Sequence, residues 1–101
     1  MNFTTLETAE KVPFNLDGRK MFVDPQAEII HLNLKPGEVL EKHTNPFDVA
    51  IYIIEGEGVV ETDGEQQNIT PNFCIAVKAG VQRGLSNSGK SNLRILVFKM
   101  F

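Results

Sequence analysis

The amino-acid sequence predicts an all-β fold, a sandwich or barrel of short strands. Three observations carry this expectation. Nine valines and eight isoleucines supply β-branched side chains, which fit a pleated surface better than a helix. Apolar residues recur in short runs with period-two alternation. Gly, Pro, Asn and Asp cut these runs at close intervals, as turns between many strands require.

Taken in order, the stretch up to about residue 18 reads as an N-terminal arm and about 19–101 as the strand-rich body of one domain. Leu6 to Val12 carries the one short helical period, stopped by Pro13. A weak strand run lies near 19–23. Stronger ones follow near 27–34, 39–45, 48–55, 58–62, 66–69, 73–77, 83–87 and 93–99. The breaks are Lys35-Pro36-Gly37, Asn45-Pro46, Glu55-Gly56, Asp63-Gly64, Pro71-Asn72, Ala79-Gly80 and Ser88-Gly89. Asp63-Gly64 predicts a hairpin, because a type I′ turn needs positive φ at both central residues.

At 101 residues the chain has the length of one small domain. Its net charge of -3 argues against a nucleic-acid partner, which needs a basic face. The longest uninterrupted apolar run, Val49 to Ile54, is too short to span a membrane as a helix. The first residues lack the basic-then-apolar order of a signal peptide. The single cysteine, Cys74, allows no disulfide within the chain. Together these predict a cytoplasmic protein.

From Gly37 onward the spacing resembles the cupin superfamily, whose first motif runs Gly, five residues, His-x-His, three or four residues, Glu, six residues, Gly. Here Gly37 precedes His43 at that distance, Asn45 stands at the second histidine, Val49 at the glutamate, and Gly56 closes the motif. In the second motif Asn72 stands at the first glycine, Lys78 at the proline, Gly80 at the second glycine, Arg83 at the histidine and Asn87 at the closing asparagine. The short link between the motifs looks like that of the small microbial cupins. The resemblance implies a single cupin β-barrel, a double-stranded β-helix or jelly roll, over roughly residues 20–100. Gly56, Asn72 and Gly80 fall where a left-handed turn is expected.

The resemblance also implies a metal site, and the ligand positions depart from it. His43 alone keeps a ligand. Val49 has no lone pair to offer, and Arg83 brings a fixed positive charge. No cofactor is therefore expected. A divalent metal through His43 is the alternative the resemblance leaves open.

Residues two apart on a strand share a face. Glu41, His43 and Asn45 accordingly share a face, which the resemblance implies looks into the barrel with Arg83, while Ile51 and Ile53 keep the surroundings apolar. This set reads as a site for a small polar or carboxylate ligand, with Arg83 as a bidentate clamp. The competing reading has Arg83 paired with Glu41, so that the cluster satisfies itself. His31 reads as a surface or interface residue. Cys74 reads as a small buried hydrophobe. Asp48 points away from the interior unless a bulge re-aims it. Ala50, Tyr52 and Ile54 make the second face of their strand apolar too, which predicts cover by another strand or a second subunit; the resemblance implies a homodimer through such a surface.

Three function readings follow. One is a metal-free binding module. The second, which the resemblance implies, is an enzyme: a metal-free isomerase or epimerase with His43 as base, or a dioxygenase if a metal is bound. The third is a structural or regulatory dimer with a vestigial site.

Overall fold

The computed structural model describes all 101 residues and contains ten strands and no helix. The strands are β1 Glu10–Lys11, β2 Asp17–Asp24, β3 Ala27–Leu34, β4 Val39–His43, β5 Asp48–Glu55, β6 Gly58–Thr62, β7 Glu65–Ile69, β8 Cys74–Val77, β9 Arg83–Ser86 and β10 Leu93–Met100. The expected runs fall on β3 to β10 with small end differences. The weak run near 19–23 is the eight-residue β2.

The strands form two antiparallel sheets, β1-β2-β3-β10-β5-β8 and β4-β9-β6-β7. They stack face to face as a jelly roll without closing into one hydrogen-bonded barrel. Period-two alternation builds the core. Ile30, Leu32 and Leu34 of β3 alternate inward, as do Leu93, Ile95 and Val97 of β10 and Val49, Ile51 and Ile53 of β5. Val60, Ile69 and Leu85 come from the facing sheet. Ile51 is fully buried at 0% exposure. Ile51→Ala is expected to cost about 3–4 kcal/mol, transfer and cavity together, read as an earlier urea midpoint by circular dichroism.

The turn chemistry follows the sequence. Asp63 and Gly64 have φ of 42° and 83° between β6 and β7, as a type I′ hairpin requires. The N-terminal arm departs from it. Leu6 to Val12 forms no helix. Thr5 and Thr8 bond each other's backbone N–H through their hydroxyls at 3.2 and 3.0 Å, closing a single turn. Such local bonds compete with helix propagation, and one turn before Pro13 cannot repay nucleation.

Two further expectations are corrected on the outer face of the larger sheet. Cys74 is exposed, not buried. Its register partner is Tyr52, and Ile75 and Val77 take the inward positions of this edge strand. His31 is buried at 5% exposure, because the arm folds back over it. Arg19, its register partner, donates to the Leu6 carbonyl at 2.5 Å, and Arg94 donates through Nε to His31 Nε2 at 3.2 Å.

Burial and the Arg94 cation push the His31 pKa below its ordinary 6.5; Arg19 adds to this and Asp17 opposes it. Below that pH the unfolded chain binds more protons than the folded one. The stabilisation is thus present above 6.5 and lost as pH falls through the depressed value. The melting temperature is expected to drop between about pH 7 and about pH 5. His31→Gln, which keeps an acceptor for Arg94, should flatten that drop.

Candidate functional site

A cavity of about 130 Å³ lies between the sheets on the β3–β10 side. Ile30, Leu32 and Val97 wall it from the larger sheet and Leu40 from the smaller one. Val12 and Phe14, from the segment between β1 and β2, cover it. The polar groups at this wall are His43, Arg83 and Lys99, and no carboxylate lines it.

A β-bulge decides which side chains reach the interior. In β4, Leu40 pairs with Leu85 and His43 with Arg83, so Glu41 and Lys42 together oppose the single residue Gly84. The extra residue turns the strand, and Leu40 and His43 both face inward. Glu41 is thrown outward into a surface groove with Val59, Glu61 and Gln66. Lys42 pairs there with Glu61 at 2.9 Å. The expected shared face of Glu41, His43 and Asn45 is thus broken between 41 and 43. That groove is larger, about 340 Å³, and neither Arg83 nor His43 lines it.

Arg83 does face the cavity. It is 3% exposed, and no ion pair joins it to Glu41 or to any other acid. With the Asn45 amide oriented so that Nδ2 donates to the Thr44 carbonyl, Oδ1 accepts from Arg83 Nη2 at 2.8 Å and Nη1 at 3.1 Å. The Arg83 Nε–H is buried without a partner. Burial lowers the pKa of the guanidinium from its ordinary value, yet it stays a cation at neutral pH. The Gly80 N–H donates to the Asn45 carbonyl at 2.8 Å and fixes the loop that carries this amide.

His43 lies beside Arg83 through the β4–β9 register. Its Nδ1 is 3.0 Å from the Glu41 carbonyl oxygen. In the neutral ring Nδ1–H donates to that carbonyl, which leaves the lone pair on Nε2. Glu41 thus orients His43 through its backbone, not its carboxylate.

Ile51 and Ile53 do not line the cavity. Both lie in the core on β5, one strand beyond β10, and Ile30, Leu32 and Val97 take the wall role. Asp48 is not re-aimed inward. It accepts from the Ala79 N–H at 2.9 Å, which with Lys78 lowers its pKa. Tyr52 donates to Asn72 Oδ1 at 2.7 Å on the outer side and supplies no acid to the cavity. Sequence reasoning missed Lys99, Val12 and Phe14. Lys99 continues the inward alternation of Ile95 and Val97 and was legible on that ground. The arm residues carry no periodic signal.

Two stacked sheets around a small interior cavity, with polar side chains converging from β4, β9 and β10, define a protein of the double-stranded β-helix class. The pattern of the family described as Cupin domain matches residues 30–99, and the chain belongs to that family. It is 33% identical over 67 residues to the tetracenomycin polyketide synthase protein TcmJ of Streptomyces glaucescens, a match that covers 65% of this chain and 45% of that protein. The chain therefore spans less than half the length of that relative. An RmlC-like cupin protein from Methanocaldococcus jannaschii superposes with a TM-score of 0.78 at 25% identity, covering 85% of this chain and 80% of the other. A protein described as a predicted oxalate decarboxylase from Thermotoga maritima superposes with a TM-score of 0.87 at 20% identity, covering 100% and 99%, a likeness of fold alone.

Cupins often bind a metal, and the residues here do not fit one. No group of three or more His, Cys, Asp or Glu side chains converges anywhere in the chain. At the cavity His43 is the one nitrogen ligand, the Asn45 oxygen is engaged by Arg83, and Val49 is a core side chain. A guanidinium at this place repels a cation.

Proposed function

We propose that this protein is a binding barrel for a small anionic, carboxylate-bearing molecule, built on a cupin site that has lost its metal ligands. The observation that carries the proposal is Arg83: a buried cation with no acidic partner, lining a cavity that contains no carboxylate. A buried charge left unpaired costs several kcal/mol or so, and a ligand carboxylate on Arg83 would offset that cost with charge-assisted hydrogen bonds. The apolar walls around a few convergent polar groups support the same reading.

The test is a thermal-shift panel of small carboxylates in buffer containing a chelator. A ligand at a hundredfold its Kd stabilises by about 2.7 kcal/mol. Acids are expected to raise the melting temperature, matched alcohols not, and Arg83→Met should lose the response. If no acid at millimolar concentration moves the melting temperature, the proposal fails.

A second reading is a metal-free isomerase or epimerase. One observation favours it: the bond from Nδ1 to the Glu41 carbonyl leaves His43 Nε2 ready to take a proton beside the cation that would hold the substrate. Deuterium exchange from solvent into the α-position of a bound acid, lost in His43→Gln, would separate this reading from binding alone. A dioxygenase needs the metal that these donors do not favour.

The proposal includes a homodimer in a cytoplasmic setting. Ala50, Tyr52 and Ile54 of β5 share the outer face with Ile29 and Phe98, and Phe22 beside Ile29 is 48% exposed. A contiguous apolar face of this kind favours a second copy over water. Light scattering on a sizing column should give twice the chain mass; the monomer mass alone would remove the claim. No helix is long and apolar enough to cross a membrane.

A further inference from the structure

We propose that the cavity selects ligands with two oxyanionic heads, a short dicarboxylate class, held between Arg83 of one sheet and Lys99 of the other. This rests on the anion-binding reading above and narrows it. Arg83 enters from β9 and Lys99 from β10, on sheets that face each other across the cavity. Lys99 is half-buried, on the inward side of its strand, and makes no ion pair. Glu28, its register neighbour on β3, neither pairs with it nor lines the cavity.

A ligand with one head would satisfy Arg83 and leave Lys99 without an anionic partner. One with two heads meets both cations, and its carbon skeleton lies against Ile30, Leu32, Leu40 and Val97. The space limits the skeleton. A volume of about 130 Å³ equals roughly four waters at about 30 Å³ each, which suits a chain of about two to four carbons. His43 Nε2 adds an acceptor or, when protonated, a third donor next to Arg83.

Succinate and butyrate have equal carbon count and differ in the second carboxylate, which makes them the decisive pair. Both are titrated calorimetrically into the full-length protein with chelator present, and both are checked by thermal shift. Succinate is expected to bind about tenfold more tightly than butyrate, with the steeper salt dependence. Lys99→Met should erase the preference by weakening succinate about tenfold. Lys99 sits at a partly exposed strand end, so this variant is expected to fold, as its circular dichroism will report. Equal affinity of the two acids overturns the inference and leaves the anion-binding reading standing. A preference that survives Lys99→Met overturns the role of Lys99. Binding of neither acid at millimolar concentration removes both.

Discussion

Arg83→Met is expected to stabilise the ligand-free protein by about 1–4 kcal/mol and, on the proposed function, to abolish any response to carboxylates. The first half follows from the unpaired state of the guanidinium. Arg83 is buried, its only acceptor is the neutral Asn45 oxygen, and its Nε–H bonds nothing. Replacing a buried charge by an apolar side chain of similar length removes the desolvation cost and fills the same space. Methionine adapts well to such a gap, between Leu40 and Val97. Each kcal/mol should raise the melting temperature by about 4–8 °C in a domain of this size. The second half follows from losing the fork that would grip the ligand. Arg83→Lys is the control: it keeps the charge and loses the fork, so stability should not rise while affinity falls. An Arg83→Met protein that is less stable than wild type and still shifts with acids would contradict both halves.

Gly56→Ala should be more damaging than any single core truncation, with a loss above about 4 kcal/mol or no folded protein at all. Gly56 links β5 to β6 with φ of 89°, where an L side chain is strained by about 1–2 kcal/mol. A Cβ there would stand 2.4 Å from the Asn92 carbonyl oxygen and 2.9 Å from the Leu93 Cα. Both are backbone atoms at the start of β10, the strand joining β3 to β5, so relief requires shifting the centre of the sheet. Gly80 separates the two causes. It has φ of 82° but open space around its Cα, so Gly80→Ala should cost only the conformational strain. Melts of the two variants followed by circular dichroism should differ by more than about 10 °C; similar losses would show that the backbone collision is absorbed.

The strands were legible in the sequence because a sandwich with one wet and one dry face writes its period into side-chain polarity. Ile30, Leu32 and Leu34 announce their face, and Asp63-Gly64 announces its turn. Features that break the period were not legible. The bulge at Glu41–Lys42 contains no glycine or proline to mark it, and it moved Glu41 out of the site the alternation assigned to it. His31 and Cys74 exchanged environments for tertiary reasons: the arm lies over His31, while Cys74 faces outward on the uncovered edge strand β8. Arg83 and His43 line the cavity at positions that the family spacing marks. Asn45 came with them, though its role as the partner of Arg83, and not a pair between Arg83 and Glu41, appeared only in three dimensions.

The Val12–Phe14 roof hangs on little. β1 contributes two register pairs, and Val12 is tied by its N–H to the Gly18 carbonyl at 2.9 Å. A segment so lightly anchored opens far more often than the sandwich unfolds. Amide deuteration should accordingly reach Val12 and Phe14 long before it reaches β3 or β10.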